Sequence, residues 1–205
     1  MKHHLLLASI LVALGTSAMA QTAPVTPVAP VTAATTVQRD VNQQTRIENG
    51  LKDGSLNTRE AGRLEKEQSL IDRLQAKKLK DGTLTPQESA QLRMAQNRAS
   101  RDIHAAKTND VQGNPESKSS ERMQANVQRN VNQETRIAQG IQAGTLTNRE
   151  VGNLERGQAR VNQTEAAAAR DGHVGKHEQA VIQRKHNNQS EEIFDKKHNG
   201  KNRKG

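Results

Sequence analysis

Residues 79–89, LKDGTLTPQES, decide how the whole chain is interpreted. Asp81, Gly82 and Glu88 are spaced like the second half of an EF-hand calcium loop. The same letters also suit a turn that ends one helix and begins the next, with Thr85 as the cap of the new helix. The first interpretation makes the chain a metal-binding protein, and the second makes it a helical scaffold.

The turn occurs four times along the chain, and comparing the four copies helps to decide between a calcium loop and a helix cap. Each copy has a glycine, an N-cap candidate three residues later and a glutamate six residues later. The glycines are Gly54, Gly82, Gly144 and Gly172, the cap candidates are Asn57, Thr85, Thr147 and Gly175, and the glutamates are Glu60, Glu88, Glu150 and Glu178. A glycine past a helix end closes that helix in the left-handed conformation, and a glutamate three residues after the cap completes a capping box.

The calcium interpretation fails on the number of ligands. In the copy around Gly82, the first and third ligand positions of an EF-hand loop are Lys77 and Leu79, which offer no carboxylate. Calcium takes six to eight oxygens, and none of the four loops offers more than two acidic side chains. We therefore expect helix caps without a cofactor, and Asp81 and Glu88 are only weak metal candidates.

Histidines provide a second, equally weak metal hypothesis. His173 and His177 are four residues apart in RDGHVGKHEQ, a spacing that can hold zinc or copper. A pair of imidazoles is half a site, so we expect these side chains, with His186 and His198, to be solvated on the surface. The sequence contains no nucleophile elbow, phosphate-binding glycine loop, HExxH or paired-carboxylate signature. We therefore expect a protein that is not an enzyme.

The chain contains an internal duplication. Residues 37–109 and 127–199 align without a gap at an offset of 90, with 28 of 73 positions identical. A duplication this long predicts two similar structural units. The Gly, Pro and Ser residues in 110–126 predict a linker between them.

Apolar residues inside each unit recur with helical period. In the first unit the pattern predicts helices over 37–52, 57–80 and 86–108, and no strand-like alternation is present. The predicted fold is all-α, with two tandem three-helix units that have the shape of a degenerate EF-hand pair. The third helix of unit two carries Lys185, Gln189 and Lys196 where unit one has alanine, so unit two is expected to be the less stable half.

The N-terminus predicts export. Residues 1–20 have a basic start, a short apolar run and a small-x-small site that ends at Ala20, so the mature chain is expected to begin at Gln21 in the periplasm or outside the cell. The apolar run is too short for a transmembrane helix. Residues 21–36, rich in Pro, Thr and Ala, predict a flexible tether. Residues 200–205 predict a basic tail, part of a basic cluster that begins at Asp195.

Composition limits the function classes. Only 32% of the residues are hydrophobic, the sole aromatic residue is Phe194, and cysteine is absent. A deep apolar pocket is not expected from such a chain. The net charge of +9 favours an anionic partner, but base-stacking aromatics are lacking, which argues against specific nucleic-acid binding. Outside the tail, the basic residues alternate with acids as on an ordinary solvated helix surface.

The motif VNQQTRI…G…G.L…E…L, followed by DG.LT..E…L…N.AS..I, resembles small exported helical-repeat proteins of Gram-negative bacteria with degenerate EF-hand-like turns. The resemblance covers most of 37–109 and, more loosely, 127–199. It implies the architecture and brings no catalytic residue with it. We expect a non-enzymatic periplasmic scaffold whose partner is an unknown protein or an anionic envelope component. The alternatives are a divalent-cation binder, through the turns or histidines, and an anionic-surface binder acting through the basic tail.

Overall fold

The computed structural model describes residues 32–201. Within this range the chain forms six α-helices and no β-strand. They are α1 (Ala33–Lys52), α2 (Thr58–Lys78), α3 (Pro86–Lys107), α4 (Lys118–Gln142), α5 (Asn148–Ala168) and α6 (Lys176–His198). The predicted all-α class is confirmed. The predicted signal peptide and residues 21–31 of the predicted tether lie outside the described residues.

Helix α1 begins earlier than the predicted tether allows. Residues 33–36 belong to this helix, because Thr32 and Thr35 form a reciprocal capping box and Ala33 is buried. A capping box satisfies N–H groups that the first turn of a helix would otherwise leave unpaired. The tether prediction of 21–36 is therefore too long at its C-terminal end.

Two other regions that were predicted to be non-helical are partly helical: the linker and the start of the basic cluster. Helix α4 begins at Lys118, inside the predicted 110–126 linker, because the Ser117 side chain caps it and Met123 is fully buried. The basic cluster that starts at Asp195 belongs to α6 as far as His198. Its lysines lie in the last helical turn, where the helix dipole favours positive charge.

The repeated turns end one helix and begin the next. Gly54, Gly82, Gly144 and Gly172 all have φ between 71° and 92°, the left-handed conformation that a residue without Cβ adopts at little cost. Capping boxes form at Asn57, Thr85 and Thr147. Glycine has no side chain to cap with, so at the fourth turn only the Glu178 carboxylate contributes, by accepting the Gly175 N–H at 2.8 Å.

The two repeats pack against each other about a pseudo-two-fold axis. The most extensive helix pair is α2 with α5, followed by α1 with α4. Gly62 of α2 lies against Ala169, and the equivalent Gly152 of α5 lies against Leu79, so the same contact is made twice. Reciprocal contacts of this kind are typical of an isologous interface, here formed within one chain.

Most of the buried apolar side chains form two clusters, and each cluster contains residues of both repeats. One cluster combines α1, α2 and α3 with α4, α5 and α6 through Ile47, Leu51, Leu56, Ala61, Leu64, Ile103, Met123, Val127, Ala168, Ala169, Val174 and Ile182. The other contains Ala33, Val37, Leu79, Ile137, Ala138, Ile141, Leu146, Val151, Leu154 and Ile193. Neither repeat contains a whole cluster, so the two repeats share their apolar core.

The third helix of unit two is less eroded than its sequence indicates. Lys185 is exposed and Lys196 is only partly buried, and the equivalent Ala95 and Ala106 are also not fully buried in unit one. Gln189 is buried, and its side-chain amide donates to the Leu154 carbonyl oxygen at 3.0 Å. The two lysines therefore remove little buried apolar area from the core, and the buried amide of Gln189 has a hydrogen-bond acceptor.

Candidate functional site

The turn carboxylates serve the helix ends. One oxygen of Asp81 accepts the Thr83 N–H at 2.9 Å, and one oxygen of Glu88 accepts the Thr85 N–H at 3.1 Å. Asp81 is exposed and Glu88 is partly buried, and hydrogen bonds from Thr83 and from Thr85 lower the pKa of Asp81 and of Glu88, respectively. This arrangement matches the capping interpretation of the turns.

The histidines divide into two groups. His173 and His177 are exposed, and neither belongs to the group of metal-type ligands that the described residues bring together. His186 is fully buried, so the expectation of a solvated His186 is wrong. The equivalent residue in unit one, Gln96, is buried in the same way, and the position is therefore part of a polar interior layer.

That interior layer contains six fully buried carboxylic acids from four helices. They are Asp40 of α1, Glu65 and Asp72 of α2, Glu134 of α4, and Glu155 and Glu165 of α5. Glutamine and asparagine side chains surround them, and no lysine or arginine is buried anywhere in residues 32–201. Carboxylates buried without a basic partner are rare, because the charged form loses its hydration.

Four of these acids form what we call the acidic centre: Asp40, Asp72, Glu134 and Glu155. One oxygen each of Asp40, Asp72 and Glu155 lie within 4.8 Å of one another. The Asp40 carboxylate accepts the side-chain amides of Gln75 and, at 2.8 Å, of Gln96. Neither oxygen of Glu155 has a hydrogen-bond donor, and one oxygen of Glu134 also lacks one.

The pseudo-two-fold axis relates the acidic centre to a second polar group, the mixed centre, which contains Glu65, Glu165, His186 and Asn130. The Glu165 carboxyl contacts His186 Nε2 at 2.9 Å and accepts the Asn130 amide at 2.7 Å. His186 Nδ1 lies 3.1 Å from the side-chain oxygen of Gln133. The two centres differ because Asp40, Asp72 and Glu134 correspond to Asn130, Asn162 and Gln44 at the offset of 90.

Burial shifts the pKa values of the ionisable groups in both centres so that their neutral forms are favoured. Loss of hydration raises the pKa of Asp40 to about 7 and of Glu165 to about 8. Burial and the neighbouring acids hold the pKa of Glu155 well above its usual range. Burial also lowers the pKa of His186 to about 3, so the contact between His186 and Glu165 is one between two neutral groups near neutral pH.

The outer surface of the α2–α5 pair is strongly basic. Its exposed side chains flank two clefts of about 410 Å³ and about 660 Å³, related by the pseudo-two-fold axis and meeting at Arg73 and Gln163. We call the Arg and Lys residues that line these clefts the basic face: Arg59, Arg63, Lys66, Arg73, Lys77, Lys80, Arg156, Arg160 and Arg170.

No acidic side chain lines either cleft, and none of the basic-face residues forms an ion pair with another described residue. Arg59 donates to the Asp171 backbone oxygen at 2.8 Å, and Arg73 donates to the Gln163 side chain. The expectation that acids alternate with bases over the surface is therefore wrong here. Glu65, Asp72, Glu155 and Glu165 of these helices point inward. Glu67 is partly exposed and lines a neighbouring cleft beside Arg63 and Lys66.

Spacing in the sequence contains the signal for this face. In α2, Arg59, Arg63, Lys66, Arg73 and Lys77 are separated by 4, 3, 7 and 4 residues, which places them on one side of a helix. Glu65 and Asp72 are separated by seven residues and lie about 120° around the helix from these cations. The spacing of charged residues therefore predicts that cations and acids occupy different faces of α2. The net charge of the chain does not show this separation.

Comparison of the chain with family models, with curated protein sequences and with solved structures finds no match. Among residues 32–201, no helix is long and apolar enough to cross a membrane.

Proposed function

We propose that this is an exported, non-enzymatic helical-repeat protein that binds anionic phospholipid surfaces through the basic face. The observation that carries the proposal is the set of nine cations around two adjoining clefts with no acid among them. Arginine guanidinium groups form paired hydrogen bonds with phosphate oxygens, and lysine adds positive charge. The sequence analysis considered the basic tail for this role. We assign the main binding surface to the basic face instead, because part of the basic cluster belongs to helix α6.

Phospholipid is favoured over nucleic acid by the chemistry of the face. The clefts are lined by Arg, Lys, Ala and Gln with Gly62, Ser69 and the exposed Leu70, and they contain no aromatic ring for base stacking. Phe194, the one aromatic residue, lies on α6. Two antiparallel helices of 21 residues each give a rigid surface about 30 Å long, enough to contact several head groups at once.

Vesicle co-sedimentation tests the proposal. The protein is expected to bind vesicles of phosphatidylglycerol and phosphatidylcholine, to lose binding as salt rises, and to ignore vesicles of phosphatidylcholine alone. The triple variant Arg63→Gln, Lys66→Gln, Arg160→Gln should bind about one hundredfold more weakly, since each cation near an anionic surface contributes about 1 kcal/mol.

A second triple variant provides the matched control. Arg101→Gln, Arg184→Gln, Lys185→Gln removes the same charge from exposed positions of α3 and α6. This variant should bind within a few-fold of wild type. Equal losses in the two variants would show that net charge alone directs binding. Tight binding to duplex DNA without binding to the anionic vesicles would also contradict the proposal.

A further inference from the structure

The interior of the protein contains a second feature, independent of the surface that we propose for binding. We propose that the acidic centre is a site for one divalent cation of calcium size, with Asp40, Asp72 and Glu155 as ligands and Glu134 beside them. The site differs from the EF-hand-like turns in place and in ligand set, because its residues come from the middles of α1, α2, α4 and α5.

The first argument is the convergence of oxygens. One oxygen each of Asp40, Asp72 and Glu155 lie within 4.8 Å of one another, and all three side chains are at most 1% exposed. Calcium takes oxygen ligands at about 2.3–2.6 Å, so two of its ligands can be up to about 5.2 Å apart. Three oxygens within 4.8 Å of one another are therefore close enough to contact one such cation.

The second argument comes from unpaired acceptors. Both oxygens of Glu155 and one of Glu134 are buried without a hydrogen-bond donor, as are the side-chain oxygens of Gln75 and Gln158. Buried polar atoms are nearly always paired, so these unpaired oxygens are available to bind a cation. Calcium prefers carboxylate and amide oxygens and takes six to eight of them.

The third argument concerns charge and orientation. No lysine or arginine is buried within residues 32–201, so no described cationic side chain lies among the four acids. The ligand carboxylates are already held in place: Gln96 donates to Asp40 at 2.8 Å, and Asn162 donates to Asp72 at 2.8 Å. Outer hydrogen bonds of this kind orient metal ligands.

The duplication supplies variants that the fold tolerates. Asp40→Asn and Asp72→Asn place in unit one the residues that unit two already has at the equivalent buried positions, Asn130 and Asn162. Glu134→Gln likewise reproduces Gln44. Each change keeps shape and removes one carboxylate, so loss of ion binding can be separated from loss of fold.

Equilibrium dialysis against calcium at pH 7.5, after removal of metals with a chelator, tests the site. Wild type should bind one calcium ion per chain and melt at a higher temperature with calcium than without it. Asp72→Asn should weaken calcium binding at least ~100-fold, since changes in the outer sphere of metal sites alone cost up to that much. Asp81→Asn, in a turn, should bind like wild type.

Circular dichroism makes each outcome decisive. Metal-free Asp72→Asn should melt at or above the temperature of metal-free wild type, because a buried carboxylate has been removed. If Asp72→Asn does not fold, Glu134→Gln must weaken calcium binding while keeping the helical spectrum. The absence of calcium binding by wild type, unchanged binding in Asp72→Asn, loss of binding in Asp81→Asn, or a preference for magnesium or zinc would overturn the proposal.

Discussion

Buried acids in the mixed centre couple the stability of the protein to pH. Glu165 contacts His186 on one side and Asn130 on the other, with Glu65 across the layer and Arg129 outside it. Burial raises the pKa of Glu165 from 4.5 to about 8 and lowers the pKa of His186 from 6.5 to about 3. Both groups are then neutral near pH 7, with the Glu165 proton donated to His186 Nε2.

The two shifts act in opposite directions on stability. Glu165 binds its proton more tightly in the folded state, so its contribution is complete below pH 4.5 and is lost as pH rises through 8. His186 binds its proton more weakly in the folded state, so its contribution is gained between pH 3 and pH 6.5 and is constant above. Between pH 6.5 and pH 8, Glu165 alone of this pair changes the free energy of unfolding.

We therefore expect the metal-free protein to lose stability between pH 6.5 and pH 8. The Glu165 share of the loss is at most about 2 kcal/mol, because one pH unit corresponds to about 1.4 kcal/mol per group. Glu165→Gln, which reproduces the equivalent Gln75, should make the slope shallower. Urea unfolding of both proteins at four pH values, in the presence of a chelator, measures how the free energy of unfolding depends on pH. An unchanged slope in the variant would show that Glu165 is ionised in the folded state.

Turn caps give a residue-scale prediction that is independent of metal. Thr85→Ala removes the side-chain oxygen that accepts the Glu88 N–H at 3.3 Å and should cost about 1 kcal/mol. The loss should be the same with calcium and with a chelator. Thermal melts followed by circular dichroism measure both, and Asp81→Asn serves as the control, since asparagine can make the same short turn. A calcium-dependent cost of Thr85→Ala would return the turn to the metal interpretation.

Close helix packing is set by one small residue in each repeat. A Cβ added at Gly62 would lie 2.5 Å from the Ala169 Cβ, while one added at Gly152 would lie 3.1 Å from the Leu79 Cβ. The first contact forces α2 and the end of α5 apart, whereas a shift of a few tenths of an ångström relieves the second. Overpacking costs ~1–3 kcal/mol, and replacing a helical glycine by alanine returns about 1 kcal/mol.

Gly62→Ala should therefore destabilise the protein by up to about 2 kcal/mol, and Gly152→Ala should be nearly neutral. Adding Ala169→Gly to Gly62→Ala should recover most of the loss in urea unfolding, because the clashing methyl group is gone. Ala169→Gly alone provides the reference for a double-mutant cycle. Equal effects of Gly62→Ala and Gly152→Ala would contradict the close approach at Gly62.

The helices themselves were largely predictable, and their pairing was not. Apolar periodicity and the capping residues placed α2 within two residues of its observed ends and α3 within one. The apolar stripe that contains Ile47 and Leu51 would look the same if it packed within its own repeat or against Val127 of the other repeat. The sequence pattern therefore does not identify the partner helix. Buried acids were missed because Asp40 and Glu65 look like solvated positions unless the helix face is considered together with the partner helix.

At the scale of the whole molecule, the fold is a pseudo-dimer in one chain. Each apolar cluster takes residues from both repeats, and the acidic centre takes Asp40 and Asp72 from one repeat and Glu134 and Glu155 from the other. The two halves differ at the positions that line these centres. One centre keeps four acids, while its mate has Asn130 and Asn162 at the matching positions.

This sharing predicts that neither half is stable alone. Residues 32–114 and 115–201, produced as separate chains, should each show little cooperative unfolding, because α2 lacks α5 and each apolar cluster loses part of its members. An equimolar mixture should recover the helical spectrum of the intact chain, with a melting temperature that rises with concentration. Cooperative unfolding of either half as a monomer, measured by circular dichroism and sedimentation, would contradict the shared core.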